Sequence, residues 1–247
     1  GSEMCIRDRG KGGIGMKTHK ALKIAALSCV AVFAIGVLAF GLATGFGIRD
    51  LLGFWRDTEQ NGSYDTPYTY TESLEYLDEL AIDWAAGPVT LSLYDGDDVT
   101  VTETAQRALK EDEKLSLEID GGKLTVRWNS AWLNLGVSGG DSKRLEVQVP
   151  RALAGDLSRI SVYTASGTLQ TADFAAREIS LKTVSGGIEA SNLSAGRLAL
   201  NSTSGTIRGE GLEGTERLEA GNVSGKTALA GVRAGTLKIS STSGTIE

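Results

Sequence analysis

From Leu80 onward, apolar and polar residues alternate with a period of two. Leu80, Ile82 and Trp84 lie two apart, as do Val89, Leu91 and Leu93, Val99 and Val101, and Leu115, Leu117 and Ile119. The same holds for Leu124, Val126 and Trp128 and for Leu145, Val147 and Val149. That spacing turns one face of a strand toward a core. Ala86-Gly87-Pro88 and Asp95-Gly96-Asp97-Asp98 read as turns, and Asp120-Gly121-Gly122 as the close of a hairpin. Residues 110–114 (KEDEK) read as a charged loop and 129–143 as a looser stretch, after which Ile160 and Val162 lead into a different regime. Outside residues 24–48 no 3.6-residue pattern of useful length occurs, so the pattern predicts an all-β domain.

That second regime is a repeat. Ser166-Gly167, Ser185-Gly186, Ser204-Gly205, Ser224-Gly225 and Ser243-Gly244 recur at intervals of 19, 19, 20 and 19 residues. Apolar residues keep step. Leu169, Ile188 and Ile207 lie three after the serine, and Phe174, Leu193, Leu212 and Val232 eight after it in the first, second, third and fourth repeats. Ile179/Leu181, Leu198/Leu200, Leu218/Ala220 and Leu237/Ile239 close the repeats. The third repeat is shifted by its extra residue, and Thr227 replaces the Ile or Leu of the fourth, making its first strand the weakest. Each repeat supplies a short strand, a turn and a longer strand, and a fixed short period predicts a β-solenoid with coils of about 19–20 residues. The ten Ser-Gly residues are read as a structural turn ladder at the coil corner, not as a catalytic row. Thr164, Thr183, Ser202, Asn222 and Ser241, two positions before each serine, would satisfy backbone groups there.

Ahead of the strands, Ile24 to Ile48 is uncharged over 25 residues, enough for a helix to span a bilayer with some tilt. A cleaved signal peptide is the rival reading, but the run outlasts the usual apolar core of about 7–15 residues and ends without a clear small-x-small site. Lys17, Lys20 and Lys23 precede it, whereas Arg49 is balanced by Asp50. The positive-inside bias therefore puts residues 16–23 in the cytoplasm and the rest outside. Cys29, inside the run, reads as a membrane-buried thiol rather than a lipid-modified one. Residues 49–77 read as a juxtamembrane linker, in which Leu51, Leu52, Phe54 and Trp55 suit the headgroup level. Tyr64, Tyr68 and Tyr70 read as packing that linker onto the domain, with a stacking surface for sugars as the alternative. Residues 1–15 have no periodicity, and SEMCIRDR resembles translated sequencing-adapter read-through, so they are set aside as a non-native leader. The array stops three residues into a fifth repeat, and solenoids end in a polar cap; the expectation is that the native chain continues.

Composition adds a charge asymmetry. Of 25 basic and 31 acidic residues, six and two lie in residues 1–48, leaving 19 against 29 in the rest. An acidic domain with no basic patch argues against nucleic acid as a partner. Both cysteines, Cys5 and Cys29, precede residue 49, so no disulfide holds residues 78–247.

Candidate chemistry is sparse. The single histidine, His19, falls on the cytoplasmic side, which removes Ser-His-Asp triads and His/Cys zinc sites from the outer domain. Asp95, Asp97 and Asp98 have a D-x-D look but no further ligand series for calcium, so a hairpin turn is the reading. Glu189 and Glu247 share one repeat offset, but Gln170, Arg208 and Ala228 hold the equivalents, so no acidic stripe forms. No catalytic residue, metal site or cofactor is predicted.

IDWAAGPVTLSLYDGDDVTV, LSLEIDGGKLTV, LEVQVP and the recurring T-x-SG-x-I/L resemble the bacterial "putative adhesin" β-strand-repeat family of unknown function, similar to domains of Lia-type cell-envelope proteins. The resemblance covers about residues 78–247, rests on structural motifs, and implies a membrane-anchored extracytoplasmic β-solenoid. The expected architecture is one transmembrane α-helix (24–48) followed by that solenoid (78–247). The expected role is non-enzymatic binding or scaffolding, as adhesin or envelope-stress accessory. Its partners would be the membrane through the anchor, and other envelope proteins or cell-surface glycans. A polysaccharide-active β-helix enzyme is the alternative; three or more carboxylates or Lys/Arg converging in one groove would favour it.

Overall fold

The computed structural model describes residues 65–129 and 142–247. The expected transmembrane helix, the leader, Tyr64 and both cysteines lie outside them. Among the described residues no helix is long and apolar enough to cross a membrane.

The domain is all-β, and its described residues form one long open sheet of sixteen strands wound in a β-solenoid-like manner. Its regular part follows the repeat. The long strands β8 (Arg159–Ser166), β10 (Ala175–Ser185), β12 (Ser194–Ser204), the first part of β14 (Glu213–Ala230) and β16 (Leu237–Ile246) pair in parallel. The short strands β9 (Leu169–Ala172), β11 (Ile188–Ser191), β13 (Ile207–Glu210) and the end of β14 do the same. The register is one repeat per step: Ile160 beside Ile179, Leu198 and Leu218, and Leu169 beside Ile188, Ile207 and Thr227. These rows face inward and are almost wholly buried, each large aliphatic side chain contributing about 1.5–3 kcal/mol by leaving water.

The fourth repeat's first strand forms despite Thr227. β14 runs unbroken through Ser224-Gly225, and Thr227 through Ala230 pair with β13; the backbone ladder carries the strand where the side chain does not. The extra residue of the third repeat is absorbed as a bulge, since the pairing steps from Ala195–Gly214 to Arg197–Arg217. The two-residue β15 (Arg233–Ala234) stacks on Glu213-Gly214 of β14.

The coil begins before the visible repeat. β2 (Glu79–Ala86) pairs in parallel with β8, and β3 (Val89–Tyr94) with β9. Beyond them β6 (Lys123–Arg127) lies parallel to β2 and β7 (Lys143–Pro150) parallel to β3. Antiparallel strands finish this end: β5 (Ser116–Asp120) on β6, β4 (Val99–Ala105) on β7 and β1 (Thr66–Glu72) on β4. The 120–122 hairpin is present as expected. The 95–98 turn is not a hairpin, because β7 is inserted between β3 and β4; period-two alternation fixes which face a strand buries but not which strand lies beside it. β1 falls inside the stretch read as linker. Its Tyr70 packs against the core and its Tyr68 hydroxyl accepts the Leu109 N–H at 2.7 Å.

Candidate functional site

Three features stand out: the Ser-Gly corner, a buried ion pair, and a groove over the short strands.

At the corner, the Gly167 and Gly186 N–H groups each donate at 2.9 Å to the carbonyls of Ser185 and Ser204, one coil on, and Gly205 donates at 3.1 Å to Ser224. Gly205 has φ +147, and a Cβ there would overlap the Gly186 carbonyl, so both backbone conformation and coil spacing require glycine. Sequence reasoning missed one rung. Gly87 (φ +106) donates to Ser166 at 2.9 Å, although 80 residues separate it from Gly167. The available signal was offset, since Val89 follows Gly87 as Leu169 follows Gly167. The row two before the serines bonds to this corner in part: Thr164 Oγ1 donates to the Ser166 carbonyl (3.1 Å), Ser202 Oγ to Gly186 (3.4 Å) and Asn222 Nδ2 to Gly205 (2.9 Å). A second corner was also missed. Asp173, Asn192, Gly211 and Gly231 all have positive φ, and Asn192 Nδ2 donates to Asp173 Oδ1 at 3.0 Å. Asn, Asp and Gly are the residues that tolerate this conformation.

The ion pair closes the other end. Glu103 of β4 and Lys143 of β7 are fully buried, with Lys143 Nζ 2.7 Å from Glu103 Oε2. Nζ also donates to the Glu113 carbonyl at 2.8 Å, and Glu103 Oε1 accepts the Leu115 N–H at 2.7 Å. The ammonium lies 4.2 Å from the Trp128 ring centroid and 5.2 Å from that of Trp84. The two rings meet edge to face at 4.8 Å, and Trp84 Nε1 donates to the Lys143 carbonyl at 2.9 Å. Burial pulls the Lys143 pKa down, against the raising effect of Glu103. Burial, then the Glu103 charge, push the Tyr70 hydroxyl up to about 12. On the rim, Arg107 grips Glu113 with two N–H groups (2.9 and 3.0 Å) and the Lys110 N–H adds a third bond (2.9 Å). These hold the Glu113 carboxyl down to about 2. The Glu103 carboxylate and the Lys143 ammonium bond to each other, to the Leu115 N–H and to the Glu113 carbonyl, so the node ties β4, β7 and the segment before β5 together.

The groove, about 740 Å³, runs along the outer face of the short strands from β3 to the end of β16. At ~4.8 Å per strand its six strands span roughly 24 Å. Thr90, Gln170, Glu189, Arg208, Ala228 and Glu247 line it as one row, with Ser92, Ala172, Ser191, Glu210 and Ala230 beside them. The structure thus gathers the offset singled out in the sequence, but as a mixed row. Gln170 Nε2 donates to Glu189 Oε2 (2.9 Å), Arg208 pairs with Glu189 Oε1 (3.3 Å), and Lys226 pairs with Glu247 (2.7 Å). Among the described residues, no group of three or more His, Cys, Asp or Glu side chains is placed to hold a metal. The Asp95, Asp97, Asp98 turn is tied up otherwise: Asp95 reaches Arg151 at 3.3 Å, and the Tyr94 hydroxyl donates to the Asp98 carbonyl.

The corner ladder, the parallel coils and the antiparallel end coincide with one family profile, Toastrack DUF4097, which matches residues 77–247. The chain belongs to this family. No curated protein matches it. Among solved structures it is similar to a "putative cell adhesion protein" from Clostridium sporogenes, 9% identical, with a TM-score of 0.42 and 73% of this chain and 98% of that one covered. A "putative adhesin" from Bacteroides fragilis is 13% identical, at TM-score 0.32 over 75% and 97%. A "putative lipid binding protein" from Parabacteroides distasonis is 14% identical, at TM-score 0.23 over 74% and 97%. The Toastrack assignment accounts for the all-β architecture and carries no activity with it.

Proposed function

We propose that this Toastrack chain is a membrane-anchored, extracytoplasmic binding module of a bacterial cell envelope, without enzymatic activity, and that the groove over the short strands is its contact surface. The β-solenoid of 19–20-residue coils is the scaffold, and the apolar run 24–48 with its lysine flank is the anchor. The observation that carries the reading is the groove itself. It is long and open, and small Ser, Thr and Ala side chains alternate in it with the polar Gln170, Glu189 and Arg208, which suits an extended partner such as a glycan chain or a segment of another envelope protein.

The alternative is a polysaccharide-active enzyme, favoured by Glu189, Arg208, Glu210 and Glu247 lining one groove. Against it, both Glu189 oxygens are held by Gln170 and Arg208, and Glu247 by Lys226. Hydrolysis of glycosides needs two carboxyl groups free to face one bond.

Crosslinking in cells under envelope stress, with the full chain and with a Ser191→Arg/Ala228→Arg variant, tests the proposal. The expected result is a set of envelope partners captured by the wild type and lost from the folded variant. Equal capture removes the groove from the reading. Polysaccharide cleavage abolished by Glu189→Gln establishes the enzyme instead.

A further inference from the structure

The interior of the fourth coil differs from its neighbours at two positions at once. Two residues before the corner serine, the first three coils carry Thr164, Thr183 and Ser202, and the fourth carries Asn222. Three residues after it they carry Leu169, Ile188 and Ile207, and the fourth carries Thr227. Both exceptions face inward, Asn222 at 4% exposure and Thr227 at 0%. They flank one corner, because Asn222 Nδ2 reaches the carbonyl of Lys226, the residue bonded to Thr227, at 3.4 Å. The Asn222 amide nitrogen is thus engaged, by Lys226 and by Gly205. Its Oδ1 has no protein partner, nor does Thr227 Oγ1, nor the Oγ of Ser241, which lies directly beside Asn222 on the next strand. Replacing an Ile-sized side chain by threonine also leaves out one terminal methyl group, the hydroxyl standing where the methylene would be.

Buried polar atoms are almost always satisfied, and a water enters a protein interior where two to four polar groups converge on sufficient space. The geometry points to one ordered water bound in this corner, donating to Asn222 Oδ1 and bonded to Thr227 Oγ1 and Ser241 Oγ. The fourth coil is therefore closed partly by a solvent molecule, where the coils before it are closed by an aliphatic side chain.

Two substitutions in the full chain decide this. Thr227→Val keeps the shape and removes one of the water's three partners, leaving Asn222 Oδ1 and Ser241 Oγ to hold it with one hydrogen bond fewer. Its melting temperature should fall by about 3 °C, the scale of one lost hydrogen bond in a domain of this size. In a dry corner the same change removes an unpaired hydroxyl at no cost in packing, so a rise in melting temperature overturns the proposal. Asn222→Thr/Thr227→Ile rebuilds the second coil's pair, Thr183 and Ile188, and should melt at or above the wild type; a fall as large as that of Thr227→Val also overturns it. A crystal structure resolving ordered solvent should show a peak within hydrogen-bonding distance of Asn222 Oδ1 and Thr227 Oγ1 in the wild type. Its absence counts against the site as firmly as a rise in melting temperature.

Discussion

Between Arg159 and Glu247 the corners of the coil are shaped by backbone, and between Thr66 and Pro150 the end of the core is shut by side chains. In the first region the glycine N–H to serine carbonyl bonds repeat along the corner, and the interior rows are mostly Leu and Ile, with Val162, Ala220 and Thr227 as smaller members. In the second, strand direction reverses, the period is lost, and Glu103, Lys143, Trp84 and Trp128 pack against one another in the interior. Backbone geometry tolerates side-chain change but no change at glycine. A buried ion pair tolerates neither partner being changed alone, since the remaining charge is left without compensation.

Gly205→Val is the severest way to break this contrast. The new side chain collides with the Gly186 backbone and demands a strained φ. We expect a loss of more than about 4 kcal/mol, beyond the ordinary range for one substitution. Gly187→Ala, whose added Cβ would meet nothing closer than the Thr206 carbonyl at 3.5 Å, should leave thermal melting nearly unchanged. Equal melting of the two variants would sink the corner argument.

Glu103→Leu comes next. It strands the Lys143 ammonium and the Leu115 N–H in the interior, at a cost of about 3–5 kcal/mol. That lowers the melting temperature by roughly 6–20 °C. Adding Lys143→Met should recover most of the loss. No recovery in the double variant would mean that the pair fixes the strand arrangement itself and not merely its own charge balance.

The smallest effect concerns acid. The Glu113 carboxyl titrates at about 2 in the folded chain against 4.5 as the ordinary value. A depressed carboxyl contributes stability above the unfolded value, and that contribution is lost as pH falls toward the folded one. The melting temperatures of wild type and Glu113→Gln should therefore differ most above pH 4.5 and converge as pH falls toward 2. A gap that stays constant over that window would remove the Arg107 grip from the account.

Much of the repeat region was legible because its determinants are local and recur: three residues from serine to Ile207, two from Leu198 to Leu200. What escaped was either isolated or non-local. Gly87 belongs to the ladder but stands 80 residues ahead of Gly167, so no period reveals it. Glu103 and Lys143 were visible in principle, since each occupies a core-facing position, Glu103 in step with Val99 and Val101, and Lys143 with Leu145 and Val147. Two opposite charges on inward registers were the signal of a buried pair, though nothing local said that their strands touch. The groove row was likewise singled out as an offset, while its Glu189–Arg208 pairing follows from the stacking of coils.

The corner bonds have a mechanical consequence. Each joins one coil to the next and so lies along the direction of stacking, as do the bonds of the parallel ladders. Tension applied between the two ends of the stack loads these bonds by opening rather than by shear, and the coils contact only their neighbours. A stack joined in this way is expected to open from its weaker end, one rung at a time, as force is raised. Because coils contact only their neighbours, loss of an end coil leaves the bonds of the remaining coils in place.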